Sequence, residues 1–221
     1  MPTIIYQVAA SMDGYIADAD GGVDWLPDSE TDDYGYEDFY AGVVALVMGR
    51  RTYDQAVGFD QWLFSGKPVY VFTGHPPDDN PHDVQFVQGD PADFVRVVAA
   101  QYDGMVWLLG GAALAEQFRR ADLIDEYMIH VMPTILGRGV PLFSDAPQTS
   151  TRPSDHHTRH SSSHTRHSSS HTRHSRESGN PPATHLELIA TQSFNDGAVM
   201  LHYRRTHSRH SGLEPESGGA G

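Results

Sequence analysis

The chain has 221 residues, 38% of them apolar, a formal net charge of −14 and no cysteine. That length suits one domain with appendages, and the missing cysteines exclude a disulfide framework, a cysteine-ligated zinc site and a thiol nucleophile. An acidic surface repels phosphate backbones, so nucleic acid is not an expected partner, and no apolar run approaches the ~20 residues that cross a bilayer.

Met1-Pro2-Thr3-Ile4-Ile5-Tyr6 reads as the start of a strand over 4–10, not as a signal peptide, and a reducing cytoplasmic location is expected. Ser11-Met12-Asp13-Gly14-Tyr15-Ile16-Ala17 follows, and its Asp-Gly marks a turn. The Asp- and Gly-rich stretch to Pro27 is expected to be a mobile loop over the sheet edge. Short apolar runs at 43–48, 69–72, 105–109 and 127–132 predict further strands covered on both faces, as in a parallel sheet. Helix patterns lie between them. Asp90 caps one and Pro91 opens it, with Phe94, Val97, Val98 and Tyr102 on one face. A second begins after Gly110-Gly111 and carries Leu114, Phe118 and Ala121. The alternation predicts an α/β domain with helices on both faces of the sheet. Leu186, Leu188 and Ala190 alternate with polar neighbours, Asn195-Asp196-Gly197 marks a tight turn, and Val199, Leu201 and Tyr203 alternate again, which predicts a closing antiparallel hairpin.

Between these parts lies different material. His157-Thr158-Arg159-His160-Ser161-Ser162-Ser163 recurs from His164 and again, imperfectly, from His171. The repeat has no apolar residue with which to build a packed core, so 151–182 is read as a disordered insertion. The competing reading is a metal site, because His157, His160, His164, His167, His171 and His174 alternate at spacings of three and four. Low helix propensity in Ser-rich sequence argues against it, and no metal is assigned. One domain over 1–204, interrupted by 151–182, with a disordered tail over 205–221, is the expected organisation.

Ligands of open α/β sheets bind where strand carboxyl ends meet helix starts. Met48-Gly49-Arg50-Arg51-Thr52-Tyr53 is one such junction. Cations normally avoid a helix amino end, so Arg50 and Arg51 there suggest an anion, although they also suit pairing with Asp54 and Asp60. Leu109-Gly110-Gly111-Ala112-Ala113 is another, where free N–H groups can cradle a pyrophosphate. No Gly-x-Gly-x-x-Gly and no Gly-Lys-Ser/Thr occurs, which excludes the usual Rossmann and phosphate-loop readings.

The ordered set Ser-Met-Asp-Gly-Tyr-Ile-Ala, Met-Gly-Arg-Arg-Thr-Tyr, Leu-Gly-Gly-Ala and Pro133-Thr134-Ile135-Leu136-Gly137-Arg138-Gly139-Val140-Pro141-Leu142-Phe143 resembles the dihydrofolate reductase superfamily. The last motif favours the branch holding the reductase domain of riboflavin biosynthesis. The resemblance spans 3–144 and 185–204. It implies a mostly parallel eight-stranded sheet with an antiparallel C-terminal hairpin, and it implies NADPH. Gly49, Arg50, Arg51 and Thr52 then hold the adenosine phosphates. Gly110, Gly111, Ala112, Ala113 and Leu114 hold the pyrophosphate. Ala9, Ile16 and Ala17 border the nicotinamide, and Phe72 and Thr73 flank the adenine. Many relatives carry an arginine where Gly74 stands. Asp28 and Glu30, with Asp24 as a third candidate, are the carboxylates expected to face the substrate and to act in catalysis. The implied reaction is hydride transfer to a pyrimidine or pteridine, like that of 5-amino-6-(5-phosphoribosylamino)uracil reductase. A dihydrofolate or pterin reductase and a non-catalytic NADPH-binding protein are the alternatives. A homodimer is expected, because relatives commonly pair through sheet edges.

Overall fold

The inner strands of the sheet bury apolar side chains on both faces. The computed structural model describes residues 2–27, 33–143 and 183–206. The histidine repeat, Asp28, Glu30 and the tail beyond Thr206 lie outside the described residues. In β1 (Thr3–Ser11), Ile4, Tyr6 and Ala10 join one buried cluster and Ile5 joins another, as a period of two requires. β1 pairs in parallel with β6 (Met105–Gly110) and with β7 (Glu126–Met132). β3 (Val43–Gly49) continues the sheet beyond β6, followed by β4 (Val69–Phe72) and the short β5 (Gln85–Val87), all parallel. On the other side β10 (Val199–Arg205) runs antiparallel to β7, and β9 (Leu186–Ser193) pairs with β10. The order is β5-β4-β3-β6-β1-β7-β10-β9, eight strands with β10 alone reversed.

Helices cover both faces. α3 (Pro91–Gln101) and α4 (Ala112–Arg120) pack Phe94, Val98, Leu114, Ala115 and Phe118 on one side. α1 (Tyr36–Gly42) and α2 (Arg50–Val57) pack Phe39, Tyr53 and Ala56 on the other. Full burial of a side chain the size of Phe118 contributes about 2 kcal/mol. The Asp90 side chain accepts from Ala92 N at 2.7 Å, and Pro91 opens α3. Two expected core positions differ. Val97 is 55% exposed, because the buried stripe of α3 runs through Phe94 and Val98. Ala121 is exposed at the end of α4, one residue past the packed turn.

The closing hairpin forms, and its turn is held by Ala198 N donating to Asp196 Oδ1 at 2.9 Å. Its alternation breaks at a bulge. The pairing passes from His202↔Ala190 to Tyr203↔Leu188, so Ile189 is the extra residue. Ala190 therefore turns to the opposite face from Leu188. β9 ends the sheet, and all eight of its residues are exposed.

Residues 11–17 and 134–142 clasp each other. β2 (Tyr15–Ala17) pairs with β8 (Val140–Pro141). Asp13 accepts from Leu136 N at 3.1 Å and from Gly137 N at 2.7 Å, and Ser11 Oγ donates to it at 2.7 Å. These bonds, led by that of Ser11, hold the Asp13 carboxyl below the usual carboxylate range. The stretch expected to be a mobile loop is thus anchored at its start. It is tied again by Gln55 Nε2 donating to Gly21 O at 3.2 Å.

Candidate functional site

The carboxyl ends of the parallel strands open onto one cleft of about 1970 Å³. A pocket for one drug-sized ligand occupies about 300–1,000 Å³, so this cleft has room for two ligands side by side. Its two halves differ in chemistry.

Toward β4 and β5 it is built from backbone. α2 starts at Gly49 and α4 at Gly111, and neither start has a side-chain cap or an acid in its first turn. Their free N–H groups need acceptors. The two starts are adjacent, because a Cβ on Gly49 would stand 3.6 Å from Gly111 N. Thr52 Oγ1 lies 3.4 Å from where a Cβ on Gly111 would stand. Gly110 has φ 127°, a conformation that side chains rarely adopt, and the Gly110–Gly111 peptide is cis. Of the fourteen positions assigned above to a cofactor, thirteen line the cleft, namely Ala9, Ile16, Ala17, Gly49, Arg50, Arg51, Thr52, Phe72, Thr73, Gly111, Ala112, Ala113 and Leu114. Gly110 stands behind them and turns the chain.

The two arginines separate. Arg50 donates from Nε to Asp54 Oδ1 at 2.7 Å and from Nη1 to the His75 carbonyl at 2.6 Å. It ties α2 to the loop after β4, so for Arg50 the pairing with Asp54 is what the structure bears out. Arg51 is exposed and makes no ion pair among the described residues. A Cβ on Gly74 would meet nothing within 4 Å. The residues therefore suit an anionic cofactor: two uncapped helix starts, one hydroxyl and one uncommitted cation converge on one place.

Toward β1 and β7 the cleft is built from side chains that motif reading missed. Gln7, Tyr34, Tyr36, Trp107 and His130 line it, with Leu26, Leu63 and Phe64. Trp107 packs edge-on against Tyr36, Phe39 and Phe64, and its Nε1 donates to Gln7 O at 3.0 Å. Burial, aided by Tyr40, pushes the Tyr36 hydroxyl up to about 12. Gln7 Nε2 and His130 Nδ1 are 3.5 Å apart. His130 is 4% exposed, and its buried Nε2 has no hydrogen-bond partner among the described residues. Burial pushes its pKa below the usual histidine value, opposed in part by the Tyr34 backbone. Burial thus favours the neutral form of the ring. Tyr34 also donates its hydroxyl to Asp196 in the β9–β10 turn.

These residues carry no motif. They meet because β1 and β7 are neighbours in register, with Ala9 opposite His130. Asp24 is exposed and does not line the cleft, whereas Asp20, Asp33 and Glu37 do. Asp28 and Glu30 lie outside the described residues. Among the described residues no group of His, Asp or Glu is arranged to hold a metal, and no helix is long and apolar enough to cross a membrane.

A mostly parallel sheet with one reversed strand near its C-terminal edge, and a ligand cleft at the carboxyl ends, is the dihydrofolate reductase fold. The chain superposes on Enterococcus faecalis dihydrofolate reductase, a structure complexed with NADP(H) and RAB-propyl, with a TM-score of 0.57 and 14% identity, covering 93% of this chain and 97% of that one. Within that fold the chain belongs to the RibD C-terminal domain family, whose profile matches residues 54–167. YwjB of Bacillus subtilis (strain 168) is 38% identical over 145 residues, covering 65% of this chain and 83% of YwjB. A protein of Shewanella sp. PV-4 named for riboflavin biosynthesis superposes with a TM-score of 0.69 at 27% identity, covering 94% of this chain and all of that one.

Proposed function

We propose that this chain is an NADPH-dependent reductase that transfers a hydride to a planar nitrogen heterocycle of pyrimidine or pteridine type. The observation that carries the reading is the two-part cleft. One half is a cradle of free N–H groups beside an uncommitted arginine, and the other is an aromatic pocket with a polar edge. Bound in the first half, a reduced nicotinamide supplies a hydride.

The chain's own residues align, shield and orient. The α2 and α4 starts and Thr52 receive the phosphates, while Arg51 faces the adenosine end. Ala9, Ile16 and Ala17 leave room for the flat nicotinamide beside β1. Trp107 and Tyr36 exclude water from the second half, and Gln7 with neutral His130 offers hydrogen bonds to a heterocycle edge. Asp28 and Glu30 remain the carboxylates assigned to orient or protonate the acceptor. The same reading has a cytoplasmic protein, one domain through residue 204, and a homodimer formed across β9, whose Leu186 and Leu188 are 40% and 50% exposed.

Fluorescence titration with NADPH and NADH tests the reading. Micromolar NADPH binding that weakens in Arg51→Ala supports it. Binding of neither nucleotide sinks it.

A further inference from the structure

The charge of the second half of the cleft is one-sided. Asp33 and Glu37, next to Tyr34 and Tyr36, line the cleft there, Asp20 lines it beside the Gly21 that is tied to α2, and the Lys and Arg side chains among its described lining residues are Arg50 and Arg51, both at the start of α2. Arg50 is already held by Asp54 and the His75 carbonyl. The sequence extends the bias. Residues 1–49, which supply β1, the loop to Pro27 and α1, contain ten Asp and Glu and no Lys, Arg or His. A phosphate placed beside α1 would meet Asp33 and Glu37 and no Lys or Arg among the described lining residues, and anions withdrawn from water need partners.

What this half offers instead is an aromatic wall and an uncharged polar edge. Tyr36 lines the wall, and the buried Trp107 backs it edge-on. Gln7 and His130 form the edge, with a buried His130 nitrogen that has no partner among the described residues. Aromatic walls with a few placed polar groups suit a planar heterocycle. The surrounding carboxylates favour a protonated one.

We propose that the heterocycle accepted between Trp107, Tyr36, Gln7 and His130 carries no phosphate, is neutral or cationic, and is discriminated from phosphorylated analogues by Asp33 and Glu37 at the start of α1. The inference rests on the reductase reading for the occupant of the first half, and it narrows the substrate class of the second. It separates this chain from any relative whose substrate bears a ribosyl phosphate.

The test uses the full chain saturated with NADPH, so that the phosphate-binding half is filled. Calorimetric titration compares 2,4-diaminopteridine with a matched pair, cytidine and cytidine 5′-phosphate, in wild type and in Glu37→Arg. Glu37 is exposed in the first turn of α1, so its replacement leaves the core intact. The expected result is that the diaminopteridine binds and that cytidine binds at least tenfold more tightly than its phosphate. In Glu37→Arg the gap within the pair should close by roughly tenfold, while the diaminopteridine weakens. Tighter binding of the phosphate than of the nucleoside in wild type overturns the proposal, as does failure of all three probes to bind. Failure of NADPH itself to bind is a separate outcome. It removes the reductase reading, and the same pair titrated into Arg51→Ala then decides the charge preference alone.

Discussion

Arg50 and Arg51 are adjacent and chemically identical, yet their partners assign them different work. Arg50 closes the loop after β4 onto α2 through the His75 carbonyl, at 35% side-chain exposure. Arg51 makes no ion pair among the described residues, and the proposed function gives it to the cofactor. A charge-assisted bond to phosphate contributes about 1.5–3 kcal/mol, less at an exposed site. Arg51→Ala should therefore weaken NADPH by roughly tenfold and NADH by much less, read as the ratio of the two dissociation constants. Arg50→Ala should weaken both alike, because it releases a loop rather than removing a phosphate partner. An equal loss for the two nucleotides in Arg51→Ala would assign that side chain elsewhere.

Among the elements, the β2–β8 clasp depends on a close approach. A Cβ on Gly139 would overlap the Ala17 carbonyl oxygen, so the two segments can meet only with glycine there. Overpacking of this kind costs about 2 kcal/mol. Gly139→Ala should lower the melting temperature by roughly 4–8 °C and loosen Ile16 and Ala17 at the cleft, with a parallel loss of nucleotide affinity. A variant that melts with the wild type would show that the clasp is not tight in solution. β9 presents an open edge with Leu188 half exposed, and unpaired apolar edges invite pairing. If the homodimer forms there, Leu188→Lys should convert it to a monomer in size-exclusion chromatography with light scattering.

At the scale of the whole molecule, acidity and stability are linked. Glu116 is 3% exposed on α4 and is bonded by Arg119 at 2.7 Å and Arg120 at 2.6 Å. Arg119 first, then Arg120, holds its carboxyl below the usual range. A depressed carboxylate stabilises the fold above its ordinary pKa, and that contribution is lost as the pH falls through its folded value. Urea midpoints should therefore fall between neutral pH and the acid side of the carboxylate range. Glu116→Gln should begin about 2 kcal/mol lower at pH 7 and show a flatter decline. Strand positions, the Asp90 cap, the hairpin turn and the glycine-flanked helix starts are local events, decided by residues within a few positions, and they were legible. So was the half of the cleft toward β4 and β5, because its parts are backbone groups announced by Gly49, Gly110 and Gly111. The bulge at Ile189 was not, because pairing with β10 creates it. Nor were Gln7, Tyr36, Trp107 and His130, which come from four separate segments and meet only when β1 lies between β6 and β7. By itself the amino-acid sequence determined an acidic α/β chain with glycine-flanked helix starts at one edge of its sheet. Only the tertiary structure decided which arginine makes no ion pair among the described residues and which side chains line the second half of the cleft, because both depend on contacts between segments far apart in the chain.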